Sequence, residues 1–307
     1  MSPWFGDAPP PVVQPVGLFG WLRALARGLP IVVIMLTGLV LMLLIRLIER
    51  PLYAPARPVT PWITVAVCRA TLWLIGLHLD VTGEQMREKG AVVANHTSWL
   101  DILVLNARKR VYFVAKSEVA GWAGINWLAK ATGTVFIRRD RREAGAQVEV
   151  FRRRLGVGHK LLFFPEGTST DGRRVLPFKT TLFAAFFEPA LREMMRIQPV
   201  TVVYRAPRGE DARFFGWWGE MDLGPSVLRV LAQAPQGRVE LVYHPTLRVA
   251  DFADRKALAR HSEKEIRTEL VRILRGRPPG QDVKVAEIPQ EDFRAIQPRS
   301  PASRNWV

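Results

Sequence analysis

Apolar and polar positions divide the chain into an N-terminal part with two long apolar stretches and a remainder of short apolar runs. Leu29 to Ile45 is a 17-residue stretch without a charge, preceded by Arg23 and Arg27 and followed by Arg46 and Arg50. That length suits a marginal membrane span or a deeply embedded helix, and basic flanks on both sides give no clean orientation. The stretch lacks the small-residue cleavage site of a signal peptide. Pro51, Pro55, Pro58 and Pro61 then break the chain. Trp62 to Leu79 is apolar again, interrupted by Arg69 and His78, and reads as a helix at or in the bilayer interface. A pair of buried core helices is the alternative for both stretches. Residues 1–18 are Pro-rich and read as a flexible lead-in.

From Asp80 the period changes. Ala91–Ala94, Val111–Ala115, Thr134–Ile137, Lys160–Phe164, Val200–Tyr204 and Val239–Tyr243 read as strands. Ile102–Ala107 reads as a helix. Ala144, Val148, Phe151 and Leu155 recur at helical spacing before Gly156 and Gly158 end that helix. Lys179–Glu188 is a further helix closed by Pro189, and Asp251–Arg275 is a charged one. Strands alternating with helices predict an α/β domain with a covered sheet. The division is therefore 1–79 for the lead-in and apolar helices, 80–277 for the α/β domain, and 278–307 for a polar, disordered tail.

Charge narrows the partners. Forty-four Lys and Arg against 28 Asp and Glu leave a net +16, which calls for an anionic partner. Nucleic-acid binding would need basic residues interleaved with exposed aromatics. Here aromatics gather in apolar runs such as Phe214-Phe215-Gly216-Trp217-Trp218, which fits a bilayer edge or a core. The one cysteine, Cys68, excludes an internal disulfide.

Two segments carry candidate chemistry. Asn95-His96-Thr97-Ser98-Trp99-Leu100-Asp101 follows a strand and leads into a helix. Histidine takes a proton near neutral pH, and a carboxylate can fix its tautomer and stabilise the imidazolium. Five residues of ideal helix turn about 500°, so His96 and Asp101 can pair only if His96 precedes the helix and Asp101 lies in its first turn. Ser98-x-x-Asp101 is equally a helix-capping signal. Pro165-Glu166-Gly167 after a strand makes a tight loop. Its exposed amides could hold an oxyanion, and Glu166 could accept hydrogen bonds from substrate. An ordinary glycine turn is the alternative.

Together these segments resemble the lysophospholipid (glycerolipid) acyltransferases. NHTSWLD at 95–101 matches their NHxxxxD motif, and Phe164-Pro165-Glu166-Gly167-Thr168 matches their FPEGT block. Gly133-Thr134-Val135-Phe136-Ile137-Arg138-Arg139 and Ile197-Gln198-Pro199-Val200 resemble their second and fourth blocks. The resemblance implies a mixed sheet covered by helices behind N-terminal membrane-associating helices. It implies that His96 is the general base and Asp101 its orienting partner. The acceptor hydroxyl of a lyso-lipid would attack an acyl thioester directly, acyl-ACP or acyl-CoA being co-substrate, with no cofactor or metal. Arg139, Glu166, Gly167 and Thr168 would bind substrate, and Lys116, Arg138 and Arg173 would form a basic rim. The site would face the cytoplasm from a bacterial inner membrane.

One departure bears on the acceptor. Where phosphate-acceptor members continue with Arg after the Thr, this chain has Ser169. An Arg fork is the natural phosphate clamp. Phe113-Val114-Ala115-Lys116-Ser117-Glu118 with Trp122, and Val175-Leu176-Pro177-Phe178-Lys179, resemble the lyso-ornithine lipid acyltransferase branch, whose acceptor has no phosphate. Lysophosphatidic acid is the alternative acceptor, with Arg138, Arg141, Arg142, Arg173 or Arg174 in place of the missing Arg. A non-catalytic basic membrane adaptor is the alternative of another class, although it would not need His96, Asp101 and the Pro-Glu-Gly loop intact.

Overall fold

The computed structural model describes residues 4–6, 9–11, 14–116, 125–137 and 144–278. Among the described residues eight strands form one sheet: β1 (His78–Thr82), β2 (Gly90–Ala94), β3 (Tyr112–Lys116), β4 (Val135–Ile137), β5 (Lys160–Phe163), β6 (Arg196–Arg205), β7 (Arg238–Tyr243) and β8 (Leu247–Arg248). Their order is β1-β7-β6-β2-β5-β3-β4, with β8 beside β6. The run from β6 to β4 is parallel, whereas β7 and β8 pair antiparallel to β6. The sheet is therefore mixed. All five residues of β2 are buried, as a central strand covered on both faces demands.

Alternation along the strands feeds two cores. Val92, Ala94, Val202, Val239 and Leu241 meet α2 (Thr60–Ile75), α3 (Asp101–Arg108) and α7 (Leu223–Ala232) on one face. Ala91, Val93, Leu161, Phe163 and Val203 meet α5 (Ala144–Gly156), the 3-10 helix Thr180–Phe187 and α8 (Arg255–Leu274) on the other. The helix α4 (Ile125–Thr132) and the single turn α6 (Pro189–Arg192) complete the covering.

Outside the first of these layers lies α1 (Leu18–Tyr53), 36 residues in one helix. It is longer than the uncharged stretch because its apolar surface continues through Leu18, Phe19, Trp21, Leu22 and Leu25, all exposed. Its buried residues, Ala24, Ile31, Gly38, Met42 and Glu49, recur every seven or four positions and make one stripe against the domain. At Gly38 a side chain would meet Val67 at 2.6 Å, so only glycine allows α2 this close. Arg23 and Arg27, near the start of α1, donate to the carbonyls of Leu231, Ala232 and Gln233 at the end of α7. Near its other end, buried Glu49 accepts from the backbone of Val59 and Thr60 and from the Thr60 hydroxyl. Just beyond, Arg57 donates to Ala131 in α4.

Several boundaries differ from those expected. The second apolar helix stops at Ile75, because Gly76 takes a left-handed conformation (φ 79°), and His78 and Leu79 belong to β1. Pro51 does not break α1 but sits in its last turn. Lys179–Glu188 is a 3-10 helix over Thr180–Phe187, and Pro189 opens α6 rather than closing a helix. The charged C-terminal helix starts at Arg255, where the Asp254 side chain caps the Ala257 amide at 2.7 Å. The lead-in is partly docked: Trp4 is buried against Trp218, and Arg213 donates to the Pro9 carbonyl. The Phe214–Trp218 run is core, with Phe214, Phe215 and Trp218 buried.

Replacing Arg27 with Ala removes two hydrogen bonds to the α7 terminus. The expected result in detergent is a loss of about 1–2 kcal/mol, read as a lower thermal midpoint. An unchanged midpoint would mean that α1 is not held there.

Candidate active site

Strand register places the site. In β2 and β5, Val93 lies beside Phe163, so the loops that follow leave the sheet side by side at its C-terminal edge. Ligands of open α/β sheets bind at that edge. The first loop carries His96 and the second carries Phe164 and Glu166; the His96 and Phe164 rings stack at 4.1 Å.

Asp101 is the first residue of α3 and is fully buried. Its Oδ2 lies 2.7 Å from His96 Nδ1 and accepts from the amides of Thr97 (2.8 Å) and Ser98 (3.0 Å). One carboxylate thus pairs with His96 and gathers the amides of Thr97 and Ser98 ahead of the helix, while α3 itself has Leu100 as N-cap and no side-chain cap, so the pairing reading of the spacing holds and the simple capping one does not. Oδ1 accepts from the Tyr204 hydroxyl at 2.7 Å. With Nδ1 facing a carboxylate, the proton of a neutral imidazole belongs on Nδ1. Nε2 then carries the lone pair. The His96 side chain is 20% exposed, so the ring is reachable while its partner is sealed.

The main chain of His96 is held from the neighbouring loop. Its amide donates to Glu166 Oε1 at 2.7 Å, and its carbonyl accepts from the Thr170 amide (2.9 Å) and hydroxyl (3.2 Å). Asn95 anchors the same segment to β6: its side chain donates to the Val202 carbonyl and accepts from the Val202 amide, both at 2.8 Å. Gly172 has φ 74°, and a Cβ there would meet Thr97 at 2.6 Å, so glycine is required where the two loops touch. Trp217 closes the other side: its amide donates to the Thr97 carbonyl, and its carbonyl accepts from the Ser169 hydroxyl.

Two residues of the Pro-Glu-Gly loop are engaged otherwise than expected, Glu166 and Gly167. Glu166 is 1% exposed, and its second oxygen accepts from the Leu176 amide at 2.7 Å. Both oxygens of its carboxyl are engaged by the protein's own backbone amides. Burial pushes it up to about 8, against the opposing effect of the two amides, with the Asp101 charge adding to the rise. Gly167 turns the chain at φ 74°, but its amide donates to the Phe164 carbonyl at 3.0 Å and is not free to hold an oxyanion. Ser169 is buried against Trp217 and presents nothing to a headgroup. Thr168 is half-buried in the loop, its hydroxyl 3.4 Å from the Ser169 carbonyl. Arg173 is exposed beyond it, its amide bonded to Asp171. Lys116 ends β3, and its side chain lies outside the described residues, as do Arg138 and Arg139 entirely. Among the described residues no group of His, Cys, Asp and Glu could hold a metal ion.

Sequence reasoning did not single out Asn95, Thr170 or Tyr204 for separate roles. Tyr204 had one signal: alternation in β6 puts it on the face of Val200 and Val202, a hydroxyl at the end of an apolar row. That its hydroxyl would reach Asp101, 103 positions away, had none.

A restrained, accessible imidazole at the C-terminal edge of a parallel sheet sits where α/β enzymes carry their active sites. The family model described as Acyltransferase matches residues 78–203, which include both loops. A lyso-ornithine lipid O-acyltransferase of Rhodobacter capsulatus is 55% identical over 265 residues, covering 86% of this chain and 96% of the relative. A 1-acyl-sn-glycerol-3-phosphate acyltransferase of Neisseria gonorrhoeae is 29% identical, covering 63% of this chain and 74% of the relative. The crystal structure of the 1-acyl-sn-glycerophosphate acyltransferase of Thermotoga maritima has the same fold, with a TM-score of 0.52 at 19% identity, over 82% of this chain and 99% of that one. The chain belongs to the acyltransferase family.

The raised carboxyl of Glu166 has a consequence for stability. The folded state holds its proton up to about pH 8, whereas an unfolded glutamate releases it near pH 4.3. Between these values the folded state binds more protons, so stability falls as pH rises through that window. Glu166→Gln should flatten this slope in thermal unfolding scans from pH 5 to pH 8. The variant should also lose about tenfold in rate, because a carboxamide cannot accept from both backbone amides without turning its NH2 toward one of them. A variant with the wild-type slope would show that another group carries it.

Proposed function

We propose that the enzyme acylates the free hydroxyl of lyso-ornithine lipid, with His96 as general base. The observation that carries the base is the His96–Asp101 pair at 2.7 Å, with the carboxylate buried and fully partnered and the ring accessible. Nε2 takes the proton as the acceptor oxygen attacks the thioester carbonyl carbon. The ester C–O bond forms, the C–S bond breaks, and the thiolate leaves with the proton returned by the imidazolium. Asp101 stabilises that imidazolium. The donor is acyl carrier protein or CoA loaded with a fatty acyl chain, and no cofactor takes part.

Two observations favour the ornithine acceptor over lysophosphatidic acid. The position after Thr168 carries a serine turned to the Trp217 carbonyl rather than an arginine. The 55% identical relative bears the ornithine-lipid name, whereas the glycerol-phosphate relative is 29% identical. A paired assay in membranes decides. Wild type should transfer labelled acyl groups to lyso-ornithine lipid, and His96→Ala should lose about 10²- to 10⁴-fold. Transfer mainly to lysophosphatidic acid would overturn the acceptor.

The setting is a membrane surface, which we place at the cytoplasmic face of a bacterial inner membrane because thioester donors are cytosolic. One apolar helix, α1, is long enough to cross a bilayer by length and composition. Its contacts favour another course. Both ends are tied to the same domain, through α7 and α4, along about 54 Å of helix. A crossing helix would carry one end away from the domain. The exposed row Leu22, Leu25, Leu29, Val32, Leu36, Val40, Leu43 and Leu47 instead suits burial in one leaflet. Cysteines placed at Gly17 and Ala54, the two exposed ends, should both react with an impermeant maleimide added outside sealed inverted vesicles; native Cys68 is buried. Reaction at one end only would mean that α1 crosses.

A further inference from the structure

The Asp101 carboxylate has two oxygens in unlike surroundings. Oδ2 is shared by His96 and two backbone amides, while Oδ1 has Tyr204 as its partner among the described residues. We propose that Tyr204 is a positioning residue for acyl transfer: its hydroxyl fixes the plane of the Asp101 carboxylate and moderates the carboxylate's pull on the His96 proton. This rests on His96 being the base.

Geometry sets the role. Tyr204 lies near the end of β6, two residues beyond Val202, which Asn95 grips by its backbone. The strand that holds the catalytic loop by one side chain therefore also reaches under it with another. The Tyr204 ring packs on Phe215 at 5.4 Å between centroids, and the residue is 5% exposed, so the hydroxyl has little freedom to turn elsewhere. Burial, and then the Asp101 charge, hold that hydroxyl well above the usual tyrosine range, so it stays a donor at every working pH. A hydrogen bond to a carboxylate spreads its charge and lowers its proton affinity. Without it the carboxylate would hold the imidazolium more strongly. The other titratable group facing this pair is Glu166 from the loop after β5, which keeps its proton up to about pH 8 and is itself influenced by Arg267 of α8. Phe164, stacked on the imidazole, is neutral.

Tyr204→Phe keeps the ring and removes only the hydroxyl. The acid limb of kcat/KM should move to higher pH by about 0.5 to 1 unit, the size expected for one hydrogen bond to a charged group acting through its partner. At neutral pH kcat should fall about three- to tenfold, with KM for the lyso-lipid unchanged, since the hydroxyl touches no substrate. Tyr243→Phe removes another buried tyrosine hydroxyl, on β7, and should leave the limb in place. Thermal midpoints of both variants, measured in the same detergent, control for folding. A Tyr204→Phe limb that coincides with wild type, whatever the change in midpoint, would overturn the proposal and leave Tyr204 a packing residue. A wild-type profile without an acid limb, or activity surviving in His96→Ala, would instead overturn His96 as base, and the role of Tyr204 with it.

Discussion

A single buried carboxylate organises the functional end of this molecule. Asp101 enters the core with no solvent exposure, which is tolerable only because imidazole, two amides and a phenol surround it. Satisfying those four donors forces the chain from His96 to Asp101 into a tight turn over the end of β2. It also forces α3 to begin where it does. Removing any donor leaves part of a charge unmatched in a low-dielectric place, so the arrangement tolerates little drift. The reactive ring is fixed by everything except its outward nitrogen.

The rest of the fold supplies the walls for that turn. β6 provides the Val202 backbone for Asn95 and the Tyr204 hydroxyl for Asp101. The loop after β5 provides Glu166 and Thr170 for the two polar groups of the His96 backbone. On the apolar side, Trp99 donates to Ser226 of α7, the same helix whose end accepts from Arg23 and Arg27. The long apolar helix α1 is therefore one packed element away from the loop that bears His96.

How much of this the residues announced depends on the range of the contacts. The inner strands were readable because short continuous apolar runs leave little else for them to be, and the His96–Asp101 pair because its members lie five positions apart. The edge strand β1, the two-residue β8, and α4 and α7 escaped, since their apolar residues take meaning only from the sheet beside them. Leu223–Ala232 is ten residues containing Gly224 and Pro225, a poor helix by propensity, and it forms because Val230 docks on the core. The backbone partners of Glu166 escaped for the opposite reason. A carboxylate in a glycine loop looks like a surface ligand until the backbone amides of His96 and Leu176 are found on both of its oxygens.

The clamp on His96 also bears on how the protein comes to life. The pair itself is local, but its restraints reach across 70, 103 and 107 positions of chain. A growing chain that has made β2 and α3 holds an imidazole and a carboxylate with nothing to aim them. Only when β5 and then β6 have paired with β2 does the ring acquire a fixed direction. Closing loops of that length is the slow part of folding a sheet of this topology. Reactivity therefore arrives late and all at once, and a fragment ending before Tyr204 has the motif without the enzyme.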